Sequence, residues 1–168
     1  MAQGSRGKIE LWNDFCGPEI PVANAVAYGT TAGGCNYYLG DYKVTGDLGE
    51  SDTGVEGLAV VSGAVRVGGN NENGKGVAIG TEAVFSPSLT APIIAETRVQ
   101  RAALTNGNVF FGFCDVNADD VVEPVTVSGA VSTTVLQACY VGCWGTTTTA
   151  ASVDVDYLYV SANRDWTR

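Results

Sequence analysis

Glycine and other turn residues divide the sequence into short apolar runs, and no stretch has the spacing of an amphipathic helix. Gly alone occurs 22 times in 168 residues. Gly, Thr, Asn or Ser interrupts every stretch in which apolar side chains would have to recur at intervals of 3.6 residues. Short runs that are each closed by turn residues are typical of antiparallel sheets. The sequence therefore predicts an all-β fold, an antiparallel sandwich of two sheets.

Ten runs are predicted to be strands, which is enough for two packed sheets. They are residues 8–12, 42–48, 55–61, 63–69, 76–85, 92–102, 108–115, 125–132, 133–144 and 152–162. The segment 68–76 is predicted to be a hairpin tip, and so is 105–108, because Asn106-Gly107 supplies the positive φ that tight hairpins need.

Two of these runs alternate most clearly between the faces of a strand. In 152–162 the alternation predicts an apolar face made of Val153, Val155, Tyr157 and Tyr159. The opposite face is acidic in its first half and apolar in its second: Asp154, Asp156, Leu158 and Val160. In 92–102 it predicts a polar face opposite a less polar one: Glu96, Arg98 and Gln100 against Ala95, Thr97 and Val99.

The length is that of a single domain. Within it, residues 41–168 carry nearly all the predicted strands and are expected to form the sandwich. Much of residues 1–40, above all 16–40, contains prolines, glycines and small side chains without a sustained period. This region is predicted to be an extended N-terminal arm or a long loop packed on the sandwich.

The charge pattern argues against nucleic acids and membranes as partners. Acidic residues outnumber basic ones by 18 to 9, and the basic side chains are scattered, so the chain would repel a phosphate backbone. The N-terminus lacks the apolar stretch of a secretory signal, and no window has the length of a membrane-spanning helix. We expect a soluble chain made in the cytoplasm.

The five cysteines are an odd number in a chain expected to form in a reducing compartment, so free thiols are predicted. They are Cys16, Cys35, Cys114, Cys139 and Cys143. Cys139 and Cys143 would share one face of a strand with sulfurs about 13 Å apart, too far for a common metal ion or a disulfide. Together with Cys114 they are predicted to be small core side chains.

Histidine is absent from the chain. Its absence removes the usual general base, the Ser-His and Cys-His nucleophiles and the commonest zinc ligand. No catalytic, metal or cofactor-binding residue is assigned, and no cofactor is expected.

The acidic segment after residue 114 partly matches the pattern of a calcium-binding loop. Asp115, Asn117 and Asp119 occupy positions 1, 3 and 5 of such a loop, but position 6 is Asp120 instead of Gly and position 12 is Thr126 instead of Glu. The favoured interpretation is that these residues begin the turn where a buried strand ends. Calcium binding at Asp115–Asp120 stays open.

A pair of carboxylates raises the alternative of a glycosidase. Asp154 and Asp156 would lie on one side of a strand, about 6–7 Å apart, which is among the spacings of paired glycosidase carboxylates. A catalytic pair, however, flanks its substrate from opposing sides, so hydrolysis is the less favoured interpretation. Trp12, Trp144 and Trp166 are spread over the chain and could include a sugar-stacking residue, although core or contact anchors are more common.

Two segments of the C-terminal half, "PIIAETRVQRAALTNGNVFFGFCDVNADD" and "VSTTVLQACYVGCWGTTTTAASVDVDYLYVSANRD", are similar to a type of chain found in tailed-phage structural gene clusters. The residues that carry this resemblance are Glu96, Arg98, Val99, Phe111, Gly112, Phe113, Asp115, Gly142 and the terminal "SANRD". It implies a concanavalin-like jelly roll and a capsid decoration (cement) protein or another virion surface protein.

The resemblance also implies partners and a location. A decoration protein would bind major capsid protein subunits on the outer surface of the virion, after synthesis in the host cytoplasm, and proteins of this kind are often homotrimers. An alternative is a carbohydrate-binding, lectin-like module on a virion or tail. Its sugar site would use exposed aromatics such as Tyr157 and Trp144 beside Asp154 or Asp156.

Overall fold

The computed structural model describes residues 7–16, 37–46, 54–69, 76–81, 85, 92–101, 107–114, 138–145 and 151–163. All regular structure in these ranges is β-strand. The strands are β1 (Lys8–Asn13), β2 (Tyr37–Leu39), β3 (Tyr42–Gly46), β4 (Gly54–Gly57), β5 (Val65–Gly69), β6 (Gly76–Gly80), β7 (Ile93–Gln100), β8 (Gly107–Cys114), β9 (Ala138–Gly145) and β10 (Ala151–Asn163). Within these ranges no helix is long and apolar enough to cross a membrane.

The strands form two antiparallel sheets of five strands each. Sheet A has the order β1-β10-β5-β4, with β7 also paired to β10, and sheet B has the order β2-β3-β6-β9-β8. Asp154 of β10 pairs with Arg66 of β5 and Gln100 of β7, so β5 and β7 lie on opposite edges of β10. The prediction of an all-β chain with two antiparallel sheets is confirmed, and the arrangement is consistent with a β-sandwich.

Most of the predicted strands are present, but their ends differ: β3 and β6 are shorter than predicted, and β1 and β10 are longer. Residues 58–61 are not strand, because the chain turns back from β4 to β5 there and Ser62 and Gly63 both have positive φ. The predicted strand 125–132 and the start of 133–144 lie outside the described residues, as does 17–36 of the predicted arm.

Strand β2 was missed by the sequence analysis. It has only three residues, and its strand conformation depends on pairing with β3, where Leu39 is opposite Tyr42. The turn between them contains Gly40, whose φ of 60° favours glycine. So short a run carries no period of its own, which is why only the pairing reveals it.

The prediction of hairpins at 68–76 and 105–108 is wrong. β5 belongs to sheet A and β6 to sheet B, and β7 and β8 are divided in the same way, so both connections cross between the sheets. Gly107 is required for lack of space and not for a positive φ. A Cβ at this position would lie 2.3 Å from the Cβ of Ala151. The glycine therefore permits the close approach of β8 to the start of β10.

The main core lies between the sheets. Val65, Val67, Val153 and Val155 of sheet A pack with Val77, Ile79, Val141 and Cys143 of sheet B, among other buried side chains. Tyr42 of β3 reaches across this core, and its hydroxyl lies 2.9 Å from the carbonyl oxygens of Leu11 and Leu158 in sheet A. Burial raises the pKa of Tyr42 well above its ordinary value.

Strand β10 contains a β-bulge that changes which side chains face the core. The register with β7 shifts between Val155 and Tyr157, so Asp156 is an extra residue. Before the bulge Val153 and Val155 are buried, and after it the buried residues are Leu158, Val160 and Ala162. The prediction of one apolar face made of Val153, Val155, Tyr157 and Tyr159 is therefore wrong, because an extra residue reverses the alternation.

The outer face of sheet B holds a second, smaller cluster. Trp144 is fully buried there with Ala78, and Phe110 packs against them. A Cβ on Gly142 would lie 2.4 Å from Cη2 of Trp144, and one on Gly76 would lie 2.6 Å from its Cδ1. The indole therefore lies directly on the backbone of the sheet, in space that small residues provide.

Candidate binding face

Around the bulge, the outer face of sheet A carries aromatic and charged side chains next to one another. We call it the bulge face, and define it by Trp12, Glu56, Arg66, Glu96, Arg98, Asp154, Asp156, Tyr157 and Tyr159. Four strands contribute besides β10: β1, β4, β5 and β7. The extra residue in β10 places Tyr157 and Tyr159 on this face, because the core-facing positions after the bulge are taken by Leu158 and Val160.

Three aromatic rings form a cluster on the bulge face. Trp12 lies opposite Tyr159 on the neighbouring strand, and its ring stacks on Tyr157 with centroids 5.1 Å apart and an interplanar angle of 21°. The ring of Tyr159 is tilted by 58° at 6.0 Å. Trp12 remains 56% exposed. A large aromatic surface is therefore open to solvent on this face.

Ion pairs fix the carboxylates beside the aromatic cluster. Arg66 donates two hydrogen bonds to Asp154, from Nε to Oδ1 at 2.8 Å and from Nη2 to Oδ2 at 3.1 Å. Its Nη1 lies 3.5 Å from Oε1 of Glu56. The hydrogen bond to Asp154 is the main cause that raises the pKa of Arg66. On the other side of β10, Nη2 of Arg98 lies 2.5 Å from Oδ2 of Asp156.

Tyr157 links the aromatic and the charged parts of the face. Its hydroxyl donates a hydrogen bond to Oε1 of Glu96 on β7, and this bond raises the pKa of Tyr157. Its backbone carbonyl accepts a hydrogen bond from Oγ1 of Thr97 at 2.6 Å. Both the hydroxyl group and the backbone of Tyr157 are therefore bound to β7.

A cavity of about 480 Å³ borders the ion pairs. Its walls include Val60 and Val61 from the β4–β5 turn, Arg98 and Gln100 from β7, and Asp154 and Asp156 from β10. Val61 is 97% exposed, although its turn is closed by the hydrogen bonds from Leu58 N to Ala64 O and from Gly63 N to Val60 O. The cavity thus combines an apolar wall with a charged one.

The structure brings together only some of the residues singled out in the sequence. Asp154 and Asp156 line the same cavity, each held by an arginine. The expectation of Trp144 as an exposed aromatic beside them is wrong, because Trp144 is buried in sheet B. Asp115–Asp120 and Trp166 lie outside the described residues.

The cysteine predictions are confirmed where the structure describes them. Cys16, Cys139 and Cys143 are thiols that are not in disulfides; Cys139 and Cys143 are buried in the core, and Cys16 is exposed. Burial raises the pKa of Cys139 to about 12. Among the residues that the structure describes, no three Cys, Asp or Glu side chains are grouped as a metal site.

Trp12 was named in the sequence analysis only as one of three scattered tryptophans, without a position on a surface. Its strand was predicted as residues 8–12 and is observed as Lys8–Asn13. Alternation alone places Trp12 and Leu11 on opposite faces of this strand. Its proximity to Tyr157 could not be found in this way, because it depends on the pairing of β1 with the C-terminal part of β10 and on the bulge.

A second exposed apolar feature lies at the edge of sheet B. Val109 and Phe111 of β8 are opposite Cys143 and Val141 of β9, and these partners face the core. Val109 and Phe111 thus point toward the space between the sheets, yet they are 36% and 37% exposed. Among the described strands β8 pairs with β9 alone. The sandwich is therefore incompletely closed along this edge within the described residues.

Comparisons with known proteins assign the chain to no group: no family model matches it, and no curated protein and no solved structure is significantly similar to it.

Proposed function

We propose that the chain is a non-enzymatic capsid decoration (cement) protein of a tailed phage, with a jelly-roll sandwich that binds the outside of the shell. The observation that carries the proposal is the side of β8 that is unpaired among the described strands, where Val109 and Phe111 are each more than a third exposed. Exposed apolar side chains on an edge strand are typical of surfaces that are covered by a partner. The partner proposed here is the major capsid protein.

The order of the strands supports a jelly roll. β5 and β6, β7 and β8, and β9 and β10 each place one member in sheet A and the other in sheet B. β9 lies between β6 and β8, and β10 lies between β5 and β7. The last pair is thus inserted between the two earlier pairs in both sheets, which is the nesting that Greek-key sandwiches use.

The positions and ion pairs of Asp154 and Asp156 support a role without catalysis. A glycosidase needs one carboxylic acid that can give up a proton and one carboxylate across the substrate from it. Asp154 and Asp156 instead line one wall of the cavity, and each contacts a guanidinium group. They are arranged as a fixed polar surface.

A shell-binding experiment tests the proposal. Shells assembled from the major capsid protein of the same phage would be mixed with the purified chain, and co-sedimentation and the temperature of shell rupture would be measured. The chain should pellet with the shells and raise the rupture temperature. Shells that neither retain the chain nor become more heat-resistant would contradict a cement role.

A matched pair of variants tests the β8 edge. Phe111→Ser should abolish co-sedimentation, because it removes an apolar contact from the proposed interface. Ile94→Ser is the control, since Ile94 is an exposed apolar residue on β7 of sheet A, away from β8. Circular dichroism would verify that both variants are folded. Equal binding by the two variants would place the shell contact elsewhere.

Assembly into trimers is part of the proposal. Three copies around a local three-fold axis of a shell would make several weak contacts at once, and the combined binding would be much tighter than a single contact. Light scattering on the purified chain, during size exclusion, would measure the copy number directly. A monomer at all concentrations would remove this part of the proposal.

A further inference from the structure

We propose that the bulge face is a carbohydrate-binding site for neutral or amino-sugar pyranoses. The proposed site consists of the aromatic cluster of Trp12, Tyr157 and Tyr159 together with the adjoining cavity. It uses sheet A, whereas the shell contact proposed above uses the β8 edge of sheet B. The two proposals therefore stand or fall separately.

The aromatic cluster provides an apolar platform with limited freedom to move. A pyranose ring has an apolar face of C–H groups, which matches the face of an aromatic ring. Trp12 stacks on Tyr157 and is 56% exposed, while the Tyr157 hydroxyl is bound to Glu96. Since the rings are already fixed by these contacts, little side-chain entropy is lost on binding.

The neighbouring charged groups supply the hydrogen bonds that sugar hydroxyls need. Arg98 and Asp156 are bound to each other beside Tyr157, and Glu96 lies opposite Tyr159 on β7. Guanidinium groups donate through several N–H groups, and carboxylates accept through two oxygens. Such a set can bind adjacent hydroxyls, each of which both donates and accepts.

The cavity provides a place for a sugar unit next to the platform. Its volume of about 480 Å³ falls within the range of small-molecule sites, about 300–1,000 Å³. Arg98 and Asp156 form part of its wall, and Tyr157, the residue after Asp156, belongs to the aromatic cluster. An oligosaccharide can therefore contact the platform and the cavity together.

The charge of the face selects among sugars. The bulge face contains four carboxylates, from Glu56, Glu96, Asp154 and Asp156, against the guanidinium groups of Arg66 and Arg98. The excess of negative charge opposes sialylated, sulfated or uronic-acid glycans. Neutral hexoses and amino sugars are compatible with it.

A glycan array that includes neutral, amino-sugar, sialylated and sulfated oligosaccharides is the first test. The full chain should bind a restricted set of neutral or amino-sugar glycans, and titration calorimetry with the best of these should give a measurable Kd. An array without selective signal, or one in which only anionic glycans bind, would overturn the proposal. Binding of the chain to proteins that carry no glycan, without binding to any glycan, would also overturn the proposal.

Variants locate the binding on the bulge face. Trp12→Ala and, independently, Arg98→Gln should each weaken binding to the best glycan by about tenfold or more. Phe111→Ser is the control, since it removes an exposed aromatic residue from the other sheet and should bind sugar as the unaltered chain does. If neither Trp12→Ala nor Arg98→Gln changes the Kd, the site is not the bulge face.

Tryptophan fluorescence gives a measurement that does not depend on affinity differences between variants. Trp12 is exposed and Trp144 is buried. With the third tryptophan removed by Trp166→Phe, acrylamide should quench mainly the signal that disappears when Trp12→Phe is added. Saturation with the glycan should protect this component from quenching. Unchanged quenching at saturation would show that the sugar binds away from Trp12.

Discussion

Each of the two sheets carries a tryptophan on its outer face, and the two side chains differ in burial. On sheet B, Trp144 is fully buried on a surface of small residues, Gly76, Ala78 and Gly142. On sheet A, Trp12 is more than half exposed and stacks on another aromatic ring, Tyr157. The comparison shows that the neighbours decide whether an aromatic side chain stabilises the fold or is available to a partner.

The largest difference between the faces should appear when each tryptophan is truncated. Trp144→Ala is expected to lower the free energy of unfolding by about 3–5 kcal/mol, since it leaves a cavity where a buried aromatic side chain was. Trp12→Ala should cost less than about 1 kcal/mol, as is usual for exposed residues. Urea denaturation followed by circular dichroism would measure both. Similar losses would break the distinction between a buried and an available tryptophan.

The next effect concerns the space beneath Trp144. Gly142→Ala should destabilise the fold by about 1–3 kcal/mol through overpacking, because the added Cβ would lie 2.4 Å from Trp144 and 2.8 Å from Ala78. Ser152→Ala, at an exposed position of β10, is the matched control and should change stability little. Thermal unfolding of the two variants provides the test. A neutral Gly142→Ala would mean that the indole can move away from the sheet.

Alkaline pH should separate buried from exposed titrating groups. The folded state raises the pKa values of Cys139 and Tyr42 by burial, so their stabilising effect is complete below about pH 8 and is lost as the pH rises above the pKa values of the unfolded chain. Each group should contribute a slope of up to about 1.4 kcal/mol per pH unit. Urea denaturation from pH 8 to 12 would measure it.

Single variants would show which residue causes the loss of stability at alkaline pH. Cys139→Ala should make the loss of stability between pH 9 and pH 12 less steep, because the pKa of Cys139 is about 12 in the fold. Tyr42→Phe should act in the same direction above pH 10. Tyr157→Phe should change the slope least, since Tyr157 lies on the surface and burial is not the main cause of its raised pKa. A larger effect of Tyr157→Phe would contradict this order.

The smallest effect is expected for the ion pairs of the bulge face. Asp154→Asn should cost no more than about 1 kcal/mol at low salt, and less at high salt, because the pair with Arg66 is partly exposed. Unfolding curves at two salt concentrations would measure it. A loss that is large and independent of salt would show that Asp154 supports the fold instead of a binding surface.

The sequence predicted the parts of the fold that depend on local pattern. Glycine-bounded runs located most of the strands, and alternation assigned Glu96 and Arg98 to an outer face, which is correct for the exposed positions of β7. Local pattern could not show which strands pair. For that reason 68–76 and 105–108 were interpreted as hairpins although they join different sheets.

The candidate site was only partly predictable for the same reason. Asp154, Asp156 and Tyr157 were singled out, but the extra residue at Asp156 cannot be read from a pattern that alternates without interruption. Trp144 was wrongly expected to be exposed beside them. Its burial on an outer face depends on small residues of a neighbouring strand, such as Ala78, and local pattern does not show which strand is the neighbour. Long-range pairing, and not composition, creates the bulge face.

The bulge in β10 also limits how this protein can diversify. A single deletion within that strand would exchange inward and outward positions for every residue on one side of it, whereas a substitution at Tyr157 or Tyr159 alters the outer face alone. Related chains whose bulge faces carry other side chains should therefore differ from this one by point changes at those positions, at constant strand length. Insertions and deletions should accumulate elsewhere.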